Sequence, residues 1–288
     1  MSISSPSMPV PLTCIVGIQY GEAEGIPLYL DLLYPYPLPD KPLPTVVYLP
    51  CSGWYEAHRG WAMNPDGNPL LAAHGFVTVS ASLRLSWQAP FPAQIHDVKA
   101  VIRWLRANAQ RYAIDPERIG VYGSSAGGHL ASLLGLTAGD SLLEGKSGSP
   151  GYSSQVQAVM TICAPSDFFS PGGELLNDAP LPPPVTQLFG GTVREKEEMM
   201  RLASPLSHVR SDAPPFLIVH GTHDETVPFQ QGQALHEALQ AVGAEVTFMP
   251  IQNAYHNLRE DPALPWEGAI WHEMGQLALR FFQQHLCH

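Results

Sequence analysis

The chain has 288 residues, 45% hydrophobic and 14% charged, which is enough for one large core or two modest domains. Its formal net charge is −11, and no basic run stands out. Such a chain is poorly suited to phosphate backbones or anionic lipid, so no nucleic-acid or membrane partner is expected, and a small neutral substrate is favoured.

The 4 cysteines, Cys14, Cys51, Cys163 and Cys287, show no paired spacing and no clustered Cys/His framework. They read as reduced thiols with no metal to hold. Met1 to Leu12 carries no charged leader region, and no stretch approaches the ~18 consecutive apolar residues of a membrane span. The expected location is cytoplasmic.

In chain order, Thr13–Tyr20 and Ile26–Tyr34 flank a short turn and read as an antiparallel hairpin at a sheet edge. A stiff proline-rich connector, Pro35–Pro44, follows. The runs Thr45–Leu49, Phe76–Ser80, Arg118–Gly123, Val156–Ile162, Phe216–His220 and Glu245–Ile251 are mostly continuous apolar stretches, as expected of parallel strands buried on both faces. Helical periodicity lies between them. Ile95–Asn108 gathers Val98, Val101, Ile102 and Leu105 on one face. Gln231–Val242 gathers Ala234, Leu235, Ala238, Leu239 and Val242, with Gly243 as its stop. Trp266–His285 gathers Ile270, Met274, Leu277 and Phe281. Alternating strands and helices predict one doubly wound α/β domain with an eight-stranded, mostly parallel sheet. Residues 138–213 break the rhythm. They hold one strand, a proline-rich stretch and a helical piece near Arg194–Leu202, and they are expected to form a cap-like insertion before the seventh strand.

Gly123-Ser124-Ser125-Ala126-Gly127 fits G-x-S-x-G, with a strand running into it and a small-residue helix running out. Strand, sharp turn and helix are what a nucleophile elbow needs. Ser125 is the candidate nucleophile, and no GKS or GKT follows to suggest a phosphate loop. A serine hydroxyl needs a general base, and the base needs an orienting carboxylate. Asp224 lies in the loop at the carboxyl end of Phe216–His220, with Glu225 and Asp167 as alternatives. His256 lies in the last strand-to-helix loop. His129, on the face of Ser125, reads as packing under the elbow, and His220 as a core histidine. His220, His223 and Asp224 could form a metal set, but no further ligand follows at helical spacing. His272, His285 and His288 are expected to face solvent.

Four more stretches carry a resemblance. They are Arg84-Leu85-Ser86 with Ala89–Val98, Ile114–Gly123, Ala203–Val209, and Pro214–Gly221. From about residue 13 to 286 the chain resembles the esterase/lipase branch of the α/β-hydrolase superfamily. The most similar group contains hormone-sensitive-lipase-like carboxylesterases with feruloyl-esterase-like and acetyl-esterase-like enzymes. The resemblance implies a catalytic triad of Ser125, Asp224 and His256 and a cofactor-free serine esterase. It also implies an oxyanion loop, usually His-Gly-Gly-Gly/Ala and an aromatic. Here the matching stretch is Pro50-Cys51-Ser52-Gly53-Trp54, so Pro50 replaces the histidine, and Cys51 and Ser52 replace glycines.

The reading at this stage is a carboxylic-ester hydrolase acting on a small-molecule ester through an acyl-enzyme. Backbone N–H groups of Ala126, Cys51, Ser52 and Gly53 would hold the oxyanion. Trp54, Tyr55, Trp61, Trp87 and Phe169 are candidate pocket walls. Side chains at Cys51 and Ser52, where glycines normally stand, would shorten the acyl pocket and favour acetyl to butyryl groups. Cys51 is an alternative nucleophile on a different strand end. An amidase, a formamidase or a small peptidase would use the same atoms, and a non-catalytic binding protein would leave them idle. The natural ester and the oligomeric state are not legible.

Overall fold

The computed structural model describes residues 11–169, 183–191, 193–261 and 269–287. The expectations at the extreme N-terminus, at the first part of the proline-rich stretch of the insertion (Pro180 and Pro182), at the start of the last helix and at His288 lie outside them. Eight strands form one sheet: β1 (Leu12–Ala23), β2 (Ile26–Pro35), β3 (Leu43–Leu49), β4 (Val77–Ala81), β5 (Ile114–Ser124), β6 (Ala158–Ile162), β7 (Phe216–Gly221) and β8 (Val246–Ile251). Their spatial order is β1-β2-β4-β3-β5-β6-β7-β8. The β1–β2 hairpin is antiparallel and joins β4 antiparallel; β4 to β8 are parallel throughout. This is the α/β-hydrolase arrangement.

The central strands match their sequence pattern because both faces are covered: β4, β6 and β7 are buried at every position. β5 begins four residues earlier than the apolar run, since Ile114 pairs with Leu43 across a register shift. Helices α2 (Ala93–Ala107), α3 (Ala126–Leu136) and α6 (Gln230–Ala241) cover one face, where Val98, Leu130, Leu133, Leu235 and Leu239 share a core. Helices α1 (Asn68–Ala73) and α7 (Ala269–Leu286) cover the other, with Leu71, Met274 and Phe282 packed on Met160 and Val219. No helix among the described residues is long and apolar enough to cross a membrane.

The region 138–213 divides in two. Residues 138–157 form a belt tied to α2: Lys99 and Arg103, both buried, donate to the Glu144 carboxylate at 2.9 and 2.8 Å. After β6 come helices α4 (Pro183–Phe189) and α5 (Val193–Ala203). α4 docks through Phe189, whose ring meets Phe168 at 5.1 Å and Phe91 at 6.1 Å. Residues 170–182 and 192 of this region are not among those described.

Candidate active site

Strand β5 ends at Ser124, and α3 starts at Ala126. Ser125 between them has φ 53° and ψ −123°, outside the regions a side chain normally adopts. Such a backbone costs about 1–3 kcal/mol and persists only where the surroundings impose it. Here they do. The Ser125 amide donates to the Ile162 carbonyl at 2.8 Å, and the Gly127 amide donates to the Cys51 carbonyl at 3.2 Å. A Cβ on Gly127 would fall 2.2 Å from the Leu49 carbonyl oxygen, so only glycine lets helix and strand approach this closely.

Asp224 and His256 arrive from the ends of β7 and β8. Their loops are laced together by the Thr222 amide on Ile251 and the His223 amide on Ala254. Gly221 permits the crossing, because a Cβ there would lie 2.3 Å from the Ala254 carbonyl oxygen. His256 Nδ1 donates to Asp224 Oδ2 at 2.8 Å. With that tautomer, Ser125 Oγ–H donates to His256 Nε2 at 3.1 Å. Asp224 Oδ1 also accepts from the amides of Thr226 and Val227 at 2.9 and 2.8 Å. Burial alone would raise the Asp224 carboxyl, but hydrogen bonds from His220 and His256 and the Val227 amide hold it well below the usual carboxylate range. It is ionised whenever His256 needs a counter-charge.

The alternatives fall elsewhere. Glu225 is exposed, and Asp167 is spent on the Phe169 amide and Ser204. Cys51 is buried, and burial pushes its thiol up to about 12, so it offers no thiolate. His223 points outward beside Tyr255 and does not join His220 and Asp224. The buried cluster that does form is Cys163, His220 and Asp224. His272 is exposed, bonded to Asp66 at 2.7 Å, whereas His285 is half-buried against Phe281, contrary to expectation.

His129 does pack under the elbow. Its Nε2–H donates to the Ala203 carbonyl at 2.7 Å, and its Nδ1 accepts from Trp54 Nε1–H at 3.1 Å. Burial pushes its pKa down to about 4, keeping it neutral. It thus bolts the oxyanion loop to α3 and to the end of α5.

That loop corrects two expectations. The Cys51 amide is committed to the Leu49 carbonyl at 3.0 Å and the Ser52 amide to the Glu56 carbonyl at 2.8 Å. Of the three loop amides expected to face an oxyanion, Gly53 remains. Opposite it, Ala126 occupies the first position of α3, where an amide has no intrahelical acceptor. The Cys51 side chain turns into the core, so it takes no room from a substrate. Among the five aromatic candidates, Trp61 lines the cavity described below. Trp54 is a core residue, Tyr55 and Trp87 are exposed, and Phe169 lies under the Arg201 guanidinium at 4.9 Å.

The cavity has a volume of about 460 Å³ and lies on the α7 side of the elbow. Ser52, Gly123, Ser124, Tyr48, Tyr122, Met160 and Met274 are among the residues that line it. Sequence reasoning missed it because four distant segments build it. It also missed two supports of the site. His220 Nε2 lies 2.9 Å from the Val227 carbonyl oxygen and 3.3 Å from Asp224 Oδ2, while its buried Nδ1 has no partner among the described residues. Asn257, at φ 58°, accepts from Ser124 Oγ at 2.7 Å. Its signal was an asparagine beside the histidine, a residue type that tolerates left-handed backbone.

The chain is similar to known proteins over most of its length. Esterase LipC of Mycobacterium tuberculosis is 34% identical over 234 residues, covering 79% of this chain and 56% of the relative. The chain spans about half the length of the curated relatives it matches. A truncated carbohydrate esterase from gut microbiota superposes with a TM-score of 0.82 at 28% identity, covering 99% of this chain and 100% of its own. A bifunctional GH43-CE protein of Bacteroides eggerthii superposes at 0.80 with 31% identity, covering 94% of this chain and 38% of its own. The BD-FAE family matches residues 30–239. The chain is an α/β-hydrolase and belongs to the BD-FAE family.

Proposed function

We propose that the protein hydrolyses carboxylic esters through an acyl-enzyme on Ser125. The observation that carries this reading is the unbroken relay from Asp224 Oδ2 through His256 to Ser125 Oγ, with contacts of 2.8 and 3.1 Å. His256 Nε2 takes the hydroxyl proton as Ser125 Oγ attacks the ester carbonyl carbon. Asp224 holds the tautomer and stabilises the imidazolium. The amides of Gly53 and Ala126 face the oxyanion, and the N-terminus of α3 adds its positive end. His256 then returns the proton to the leaving alkoxide. A water molecule, deprotonated by His256, attacks the acyl carbon and frees Ser125. Each step uses only side chains and amides already in place. The names of the curated relatives, esterases and a probable carboxylic ester hydrolase, support an ester as substrate.

The test is active-site labelling beside turnover. A fluorophosphonate probe should label the wild type at Ser125 and leave Ser125→Ala unlabelled, with ester hydrolysis reduced at least ~10⁴-fold in the variant. Equal labelling of both proteins, or a tenth of the wild-type rate in Ser125→Ala, would overturn the assignment. Matched ester and amide substrates distinguish an esterase from an amidase, and an esterase should prefer the ester strongly.

A further inference from the structure

The geometry points to a site for a divalent cation of the Zn²⁺ class, formed by Cys163, His220 and Asp224, whose occupation withdraws Asp224 from His256. The site stands on these three side chains; its effect on turnover rests on the serine-hydrolase reading.

The three residues come from the ends of neighbouring strands. Cys163 follows β6, His220 lies in β7, and Asp224 follows β7. All three are buried, and their donor atoms lie within 4.8 Å of one another. His220 Nε2 stands 3.3 Å from Asp224 Oδ2. Tetrahedral ligands at roughly 2.0–2.3 Å from Zn²⁺ stand about 3.3–3.8 Å apart. One pair is thus already at the spacing a cation needs, and the sulfur lies within about 1 Å of it. The fold imposes the sulfur's position. Cys163 has φ 49°, a left-handed backbone rare outside Gly, Asn and Asp, and its amide donates to the Val219 carbonyl at 2.9 Å.

The cation would replace two hydrogens. In the resting fold the Cys163 thiol and the His220 ring both donate to the Asp224 carboxylate. On binding, the thiol proton leaves to solvent and the sulfur coordinates as a thiolate. The amides of Gly221 and Asn257 already donate to that sulfur, so the thiolate keeps two hydrogen bonds. His220 Nδ1, without a partner among the described residues, carries the ring proton and leaves the Nε2 lone pair for the metal.

Charge selects the ion. A thiolate and a carboxylate this close repel each other when buried. A divalent cation cancels both, and the neutral imidazole adds nothing, so the filled cluster has no net charge. Sulfur and imidazole favour Zn²⁺ or Cd²⁺ over Mg²⁺ and Ca²⁺, which take oxygen ligands. Asp224 also lines a second cavity of about 260 Å³ with His223, Glu225 and Tyr255, and the exposed Glu225 carboxylate draws cations to that side. With a cation on its carboxylate, Asp224 no longer answers the positive charge that His256 acquires during attack.

The experiment uses the full chain in a Cys14→Ser/Cys287→Ser background, because those exposed thiols would also take the probe. The protein is stripped with EDTA, the chelator is removed, and Cd²⁺ is titrated while the thiolate-to-Cd²⁺ charge-transfer absorbance and ester hydrolysis are followed together. The absorbance should saturate at one Cd²⁺ per chain. Hydrolysis should fall at least ~10-fold with the same midpoint, toward the loss expected of Asp224→Asn. Zn²⁺ should inhibit likewise, Mg²⁺ and Ca²⁺ should not, and EDTA should restore the rate. Cys163→Ser should abolish the absorbance and raise the inhibition midpoint at least ~100-fold, each rate being scaled to the variant's own metal-free rate. If Cys163→Ser shows no cooperative urea transition, His220→Phe removes the nitrogen, keeps a ring in its place, and is read by the same midpoint shift. No absorbance at one equivalent, or inhibition with an unshifted midpoint in the variant read, would overturn the site. Saturated absorbance with undiminished hydrolysis would overturn the withdrawal of Asp224. Metal-free protein that neither hydrolyses esters nor takes the fluorophosphonate label would refute the hydrolase reading, and the absorbance titration would still decide the site.

Discussion

Acidification puts His129 to the test. Its ring is enclosed by α3, Trp54 and the end of α5, and burial holds its pKa at about 4 against a smaller opposing pull from the Ala203 carbonyl. In the unfolded chain the same ring titrates near ~6.5. Between the two values the unfolded chain binds a proton that the folded chain refuses. Stability therefore rises with pH across that window and is lost as pH falls from about 6.5 toward 4. Below the lower value the ring is protonated in both states and the loss stops growing. A gap of about 2.5 pH units at ~1.36 kcal/mol each bounds the loss at roughly 3 kcal/mol. By pH 4.5 most of that, about 2.5 kcal/mol, should be gone, a large share of the ~5–15 kcal/mol a domain has in hand. The comparison is with His129→Gln, which does not titrate and keeps a donor and an acceptor. Urea unfolding followed by tryptophan fluorescence at pH 7 and 4.5 gives both stabilities. The variant should start less stable and lose about 2 kcal/mol less on acidification. His96, also lowered by burial, is present in both proteins and cancels. Equal acid losses in the two proteins would refute the argument.

Asp224→Asn should reduce kcat about 10⁴-fold, because an amide facing His256 Nδ1 no longer fixes the tautomer, whereas Glu225→Gln should leave steady-state kinetics unchanged. Glu144→Gln should cost about 3–5 kcal/mol in urea unfolding, since it strands the buried charges of Lys99 and Arg103 without their carboxylate. Gly127→Ala should lower both the thermal midpoint and kcat, because its Cβ would sit 2.2 Å from a backbone oxygen that cannot swing away. Wild-type stability in Gly127→Ala would show that the elbow has slack.

Much of the fold was legible because burial on both faces writes itself as unbroken apolar runs, as at Val156–Ile162 and Phe216–His220. The elbow was legible because its constraint is local: a strand, a strained serine and small residues must follow one another. Two helices were not. Asn68–Ala73 is too short for a periodic signal, and Pro183–Phe189 opens on two prolines, which reads as a loop although prolines fit a first helical turn. The oxyanion loop was legible as a position but not as a geometry. Whether the Cys51 and Ser52 amides are free depends on the Leu49 and Glu56 carbonyls, and periodicity says nothing about those pairings. The cavity was hidden for the same reason, since Tyr48, Asp66 and Met274 meet only after folding.

The contact between the Gly127 amide and the Cys51 carbonyl has a kinetic meaning. Gly53 and Ala126 belong to different strand ends, and this bond, together with the Trp54–His129 hydrogen bond and the β3–β5 pairing, ties the two segments together. If Gly53 and Ala126 are the oxyanion donors proposed above, the developing negative charge would meet dipoles already held by the resting fold. A disturbance of how β3 lies against β5 should therefore appear as slower acylation with substrate affinity little changed. Distant stabilising or destabilising changes in those two strands become a way to tune turnover without touching the pocket.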